Sequence, residues 1–373
     1  MTINRKEQYM RALRREPVDA LTWAPNFDYW YHVNTANGTI PPEYAGLSSN
    51  DLIRAVGGTI WRRVTVVQSV YDDSVKVSRE DHGETIVTRY ATPVGELRIV
   101  EQVAADSSRT CFLKEHMVKS IDDLKPLRYL IDATHYSLTT AQYERESAAV
   151  GDDGIVLTCL PAVPFIQFAK TDIGYENAYF LMMDYPDEVE AIIAAYHSKF
   201  LEAYRLAAQG PCELVSNGDN MDQLTCPPRF FQQYAVPFYQ DVRAILHAGG
   251  KIAQGHWCGQ LEQLIPYMPD CGLDVVEAMT PKPMSNVDMR AAMDVLEGKL
   301  TIQGGIPSVY MCDVGCTRDE LVRYIEELLE QVGHCRGFIL GMGDNVPDAA
   351  DFARVKMVSE VVARYNAGRK VGV

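Results

Sequence analysis

From residue 154 onward the chain alternates short apolar runs with helical stretches, and no other feature constrains its fold so strongly. The runs occupy residues 154–159, 212–219, 251–258, 273–278, 300–305 and 337–341. Between and after them, helical spacing of apolar residues covers 187–208, 227–247 (with Pro237 as a break), 261–268, 289–296, 319–332 and 350–365. Strands that are apolar along their whole length have no solvent face, so both faces must be covered, as in a parallel sheet with crossover helices. Residues 21–25 and 58–61 supply two more strand-like runs. Eight strands alternating with helices predict a (β/α)8 TIM barrel. An open doubly wound sheet is the weaker alternative, because no glycine-rich phosphate loop follows the first strand.

Residues 64–105 break the pattern. Val75-Lys76-Val77, Thr85 to Tyr90 and Glu96 to Val100 alternate apolar and polar residues, with turns at His82-Gly83 and Pro93-Val94-Gly95. Alternation with period two marks half-buried antiparallel strands. The expected organisation is one barrel domain over residues 1–373, with 64–105 as a small N-terminal antiparallel β insertion. Thr317, just ahead of the last-but-one helix, is a candidate cap.

The formal net charge of −15 argues against nucleic acid or an anionic membrane as partner. No run approaches the roughly 20 apolar residues of a membrane helix, and Met1 to Glu7 lacks a signal-peptide core. Nine cysteines without framework spacing read as reduced thiols, so a cytoplasmic location is expected. Most of them, Cys111, Cys159 and Cys226 included, are expected to be small buried hydrophobes.

His256-Trp257-Cys258-Gly259 stands where a strand pattern gives way to a loop. Residues i and i+2 of a strand share a face, so His256 and Cys258 can grip one ion between them. Imidazole and thiolate are zinc ligands, and a barrel carries its chemistry where strands end. Other strand ends are polar too: Asn217 and Asp219, Glu277, Gln303, then Asp344 with Asn345. Asp344 is the preferred third metal ligand, Glu277 the main alternative, and Cys271 or Cys312 fallback thiols. Asp219 and Glu277 are candidate proton donors. After the first strand come Trp23, Asn26, Phe27, Tyr29, Trp30 and Tyr31, expected to form a pocket wall for a flat apolar substrate.

Three segments together resemble the uroporphyrinogen decarboxylase superfamily. Lys6 to Asp19 looks like its first helix and the approach to its first strand. Cys226-Pro227-Pro228-Arg229-Phe230-Phe231 with Pro237-Phe238-Tyr239 looks like a segment before a central strand. Gly255-His256-Trp257-Cys258-Gly259 is similar to the zinc motif of its corrinoid-dependent methyltransferase branch. Uroporphyrinogen decarboxylases carry an arginine-rich segment after strand one, where this chain has Asn26-Phe27-Asp28-Tyr29-Trp30. The thiol methyltransferases of the family place a third zinc cysteine in a Gly-Cys pair, where this chain has Gly343-Asp344.

A carboxylate in place of a thiolate makes a metal site harder and better matched to an oxygen-bearing substrate. The resemblance therefore implies an O-demethylase-like methyltransferase. It would move a methyl group from a small methoxylated donor to the cob(I)alamin of a separate corrinoid protein, using zinc held by His256, Cys258 and Asp344. The cobalamin would arrive with its partner protein, and a homodimer is left open. The alternatives are a decarboxylase of a small organic acid, a methylcobamide:thiol methyltransferase, or a binding barrel with a structural zinc.

Overall fold

The computed structural model describes residues 3–105 and 110–369. Its strands, in chain order, are β1 (Trp23–Ala24), β2 (Ile60–Val64), β3 (Val67–Tyr71), β4 (Lys76–Asp81), β5 (Thr85–Thr92), β6 (Gly95–Val103) and β7 (Cys111–Glu115). They continue as β8 (Thr134–Leu138), β9 (Gly154–Leu160), β10 (Leu214–Asn217), β11 (Ile252–His256), β12 (Val275–Met279), β13 (Thr301–Ile306) and β14 (Phe338–Met342). Eight of them form one sheet in the order β1-β14-β13-β12-β11-β10-β9-β2, every pair parallel. The Thr59 N–H donates to the Trp23 carbonyl at 2.8 Å and brings the two ends together. The result is a nearly closed (β/α)8 barrel.

Side-chain alternation divides the barrel interior into two levels. The lower is apolar: Trp61, Leu157, Leu214, Ile252, Val275 and Ile339 pack with Tyr9, Met10 and Leu13 of the helix Arg5–Leu13. That helix is capped by Asn4, whose side chain accepts from the Glu7 N–H, and it closes the bottom of the barrel. Burying each large apolar side chain contributes roughly 1.5–3 kcal/mol, so this plug anchors the strands firmly. Two residues further along the same strands the inward side chains turn polar, giving Arg63, Cys159, Ser216, Gln254 and Glu277.

The antiparallel insertion is present and larger than the alternation predicts. The sheet β4-β5-β6-β7 runs on to Glu115, beyond the expected boundary at 105, and β3 pairs with β8 in a separate ribbon. The last strand, Cys111–Glu115, is an exposed edge with little apolar alternation to betray it. Two helices also differ. The expected kink at Pro237 lies in a π-helical turn, Phe231–Ala235, immediately before the helix Val236–Ala248. The 261–268 helix shrinks to a 3-10 turn at Ile265–Tyr267 and one turn at Met268–Cys271. Thr317 caps its helix with a reciprocal Glu320 contact. Among the described residues no helix is long and apolar enough to cross a membrane.

Candidate metal centre

β11 ends on His256, and β12 brings Glu277 level with it in register. The ladder continues one step past the strand, the Trp257 N–H donating to the Glu277 carbonyl at 2.9 Å. His256 and Cys258 therefore point into the barrel mouth while Trp257 points away. Gly255 makes this possible: a Cβ there would come within 2.5 Å of the Trp257 indole nitrogen. The indole is fully buried and donates to the Tyr239 hydroxyl at 2.9 Å.

The third donor arrives from β14. A Cβ at Gly343 would sit 2.5 Å from the Thr280 hydroxyl, and that hydroxyl donates to the Gly343 carbonyl, pinning the backbone that carries Asp344. His256, Cys258 and Asp344 each offer one ligand atom, and those atoms all lie within 4.8 Å of one another. Such spacing suits a single ion, and a nitrogen, a thiolate sulfur and a carboxylate oxygen are zinc donors. Asp344 Oδ1 accepts from the Asn345 N–H at 2.8 Å and from its side-chain amide at 3.1 Å, which fixes the carboxylate orientation. Cys271 and Cys312, the fallback thiols, are buried and outside this group.

Glu277 is not one of the three. Its Oε2 lies 2.6 Å from His256 Nδ1 and 3.5 Å from Arg63 Nη2, and the residue is only 1% exposed. Burial pushes the Glu277 pKa up, but His256 and Arg63 outweigh it and hold the carboxyl below its ordinary range. Burial likewise works against a charged His256, while Glu277 and Cys258 draw its pKa well above the usual value in the metal-free site. With Nδ1 tied to a carboxylate, the other ring nitrogen, Nε2, is left for a metal. This carboxylate–histidine arrangement fixes tautomer and ring orientation in metal sites generally.

Asp219 lies beneath the mouth. Its Oδ1 accepts from the Val163 N–H at 2.7 Å and its Oδ2 from the Tyr239 hydroxyl. Burial raises its pKa to about 6. With both oxygens engaged it braces Tyr239, and through it Trp257.

The aromatic segment is corrected. Trp23, Phe27 and Trp30 are core residues, at most 4% exposed. The Trp23 indole donates to Ser359 Oγ at 3.0 Å and the Trp30 indole to the Ala350 carbonyl at 3.0 Å. Trp30 stacks on Phe352 at 5.0 Å, and Phe27 meets the same ring edge-on at 5.6 Å. The helix Asp28–Asn37 begins three residues after the strand, and Phe27 and Trp30 pack against Phe352 of the C-terminal helix. Asn26 is buried with an unpartnered Nδ2, and Tyr29 is half-buried.

Two mouth residues escaped the sequence reading. Arg63 sits over the Trp61 ring at 4.5 Å, and Cys159, expected to be buried, is solvent-exposed beside it. Alternation along β2 and β9 from the inner residues Trp61 and Leu157 could have found both. Cys111 is also exposed, on the edge strand β7.

A barrel with a His-Cys-Asp donor group at the C-terminal ends of its strands has the architecture of an enzyme site. Residues 113–365 match the model of the uroporphyrinogen decarboxylase (URO-D) family, and the chain belongs to that family. No curated protein matches its sequence. Among solved structures, a methyltransferase from Methanosarcina mazei superposes with a TM-score of 0.63 at 13% identity, covering 97% of this chain and 99% of that one. D-psicose 3-epimerase from Clostridium cellulolyticum H10 reaches a TM-score of only 0.36 at 11% identity, over 66% of this chain and 86% of its own. The first likeness is one of fold, and nothing rests on the second.

Proposed function

We propose that this enzyme is a zinc-dependent methyltransferase that takes a methyl group from a small methoxylated donor and passes it to the cob(I)alamin of a separate corrinoid protein. The observation that carries the reading is the His256–Cys258–Asp344 group at the barrel mouth, with His256 oriented by Glu277. Three protein donors, not four, are what a catalytic zinc site uses. The methyltransferase likeness of the fold supports the same reading.

His256, Cys258 and Asp344 would hold the zinc, which when bound supplies Lewis acidity toward the ether oxygen. Glu277 keeps the His256 proton on Nδ1 and the ring aimed into the mouth. Asp219 and Tyr239 hold Trp257, and with it the turn between the two ligands, in place. In the overall reaction the methyl C–O bond breaks, a C–Co bond forms on the partner, and the oxygen leaves with its electron pair. On the wall after strand one, Asn26 and Tyr29 would meet the donor, the tryptophans being packed in the core.

The test is zinc analysis of the purified protein together with methyl transfer from methoxyarenes to a reduced corrinoid protein, followed by the methyl-cobalt absorbance. Wild type should carry about one zinc and form methyl-cobalt. His256→Ala and Cys258→Ala should each lose zinc by at least ~10-fold in affinity and lose the transfer with it. Asp344→Asn should weaken both, and Asp344→Cys should restore zinc but not ether cleavage. Release of CO2 from an organic acid without any corrinoid would instead favour decarboxylation, the reaction for which the family is named. Faster methylation of a free thiol from methyl-cobalt would favour the thiol methyltransferase reading.

A further inference from the structure

Neighbouring arginines on β2 are used in opposite ways. Arg62 faces outward and is fully engaged, donating to Asp28 at 2.5 Å, Asn50 at 2.5 Å and Ser49 at 3.2 Å. Arg63 faces the barrel interior and has one carboxylate contact, Glu277 at 3.5 Å, at the outer limit of a hydrogen bond. Glu277 is already taken by His256 at 2.6 Å. The Cys159 thiol beside the Arg63 guanidinium is a weak acceptor, and the carboxylates of Asp28 and Asp344 act on that guanidinium through charge, without a hydrogen bond among the described residues. A guanidinium carries five N–H donors and never gives up its charge. Its side chain retains 33% exposure, and stacking on Trp61 holds its plane. Arg63 is therefore a fixed, partly desolvated cation with donors to spare.

Asn26 supplies a second, independent sign. It follows β1, the strand beside β2 where the barrel closes, and is 4% exposed with an Nδ2 that has no partner. A buried amide N–H without an acceptor costs about 1–3 kcal/mol unless something fills the role. Asn26 follows β1 and Arg63 stands on β2, the two strands that meet where the barrel closes, and the Arg63 guanidinium reaches in as far as Glu277 beside His256.

We propose that Arg63 and Asn26 form an anion subsite, and that the methyl donor carries a carboxylate bound there while its ether oxygen faces the metal donors. This rests on the methyltransferase reading and names the substrate class for it. A planar carboxylate matches the guanidinium fork, and the charge-assisted pair is about twice as strong as a neutral one. The carboxylate shares Arg63 with Glu277, which keeps its hydrogen bond from His256 Nδ1. Donors lacking the anion lose their anchor and their alignment.

The experiment is calorimetric binding to the full-length, zinc-loaded protein with two matched probe pairs: 4-methoxybenzoate against 4-methoxybenzamide, and methoxyacetate against methoxyacetamide. In at least one pair the carboxylate should bind ~10-fold or more tightly than the amide. Arg63→Gln should bring the pair to within ~3-fold by weakening the carboxylate alone, Arg63→Lys should keep part of the preference, and Asn26→Ala should lower it. An amide that binds as well as its carboxylate, a preference that survives Arg63→Gln, or no binding by either pair would overturn the subsite. A preference abolished by Arg63→Gln without any methyl reaching a corrinoid protein would keep the subsite and remove the methyltransferase reading. Methyl transfer from a neutral ether, unchanged in Arg63→Gln, would do the reverse.

Discussion

Replacing Glu277 tests whether a carboxylate outside the ligand group sets the metal affinity. The 2.6 Å contact to His256 Nδ1 does two things: it fixes which ring nitrogen faces the mouth, and its charge makes that nitrogen a better donor. Removing such a partner costs about 10–100-fold in metal affinity, or roughly 1.4–2.8 kcal/mol. Glu277→Gln retains an acceptor oxygen, so the ring stays oriented and only the charge is lost; the expected fall is ~10-fold. Glu277→Ala loses both effects and should approach ~100-fold. In the metal-free protein, Glu277→Ala also strands His256 and Arg63 without their shared carboxylate, and breaking a buried pair costs about 3–5 kcal/mol. The assays are zinc competition against a chromophoric chelator, X-ray absorption to count donors, and chemical denaturation of the metal-free form. Unchanged zinc affinity in both variants would refute the orienting role. A donor missing from the Glu277→Gln coordination shell would make Glu277 a ligand in its own right.

Two further outcomes follow from packing and burial. Trp30→Ala should lose about 3–5 kcal/mol of stability in thermal or denaturant unfolding, as for a buried ring, while binding of the matched ethers is unaltered. A change in ether binding at normal stability would return Trp30 to the pocket wall. Asp172 is 1% exposed, accepts from Tyr196 at 2.7 Å and Gln167 at 2.9 Å, and is pushed by burial to about 7. Its folded pKa lies above its unfolded one, so its contribution is complete below about 4 and is lost as pH rises through 7. Asp172→Asn should flatten the decline of stability between about pH 4 and 7 by up to a few kcal/mol, and an unchanged slope in denaturation curves would sink this assignment.

The barrel was legible because short, fully apolar runs alternate with longer helical stretches, and six such runs lie between 154 and 341. His256 and Cys258 were legible for a related reason: they are polar residues where an apolar run stops. The antiparallel edge Cys111–Glu115 was not, because an exposed strand has no buried face to leave a pattern. The aromatic segment misled for the opposite reason. Rings at a strand end read alike whether they line a pocket or bury against a neighbouring helix, and the deciding partner, Phe352, is more than 300 residues away in the chain. Arg63 was hidden by its neighbour, since Arg62-Arg63 reads as a charged pair until alternation assigns one to each face.

Asp344 and Glu277 compete for the same ligand position in the sequence, and the structure sets them in different places, which under the proposed function gives them different tasks. Both sit where a parallel strand delivers its last inward residues, but Glu277 lies level with His256 in register and reaches its Nδ1 before anything else. Asp344 comes from β14, two strands further round, past a glycine whose carbonyl is held by Thr280. Its carboxylate meets His256 and Cys258 across the mouth, not alongside them. One carboxylate behind the imidazole and one in front give the site a strongly donating nitrogen and a hard oxygen together. A harder donor would leave a bound metal more electrophilic than a second thiolate would, the property that the proposed cleavage of a methyl–oxygen bond requires. Exchanging the tasks should therefore fail: in Asp344→Asn, Glu277 cannot take over in front without releasing His256, so metal affinity and ether cleavage should fall together.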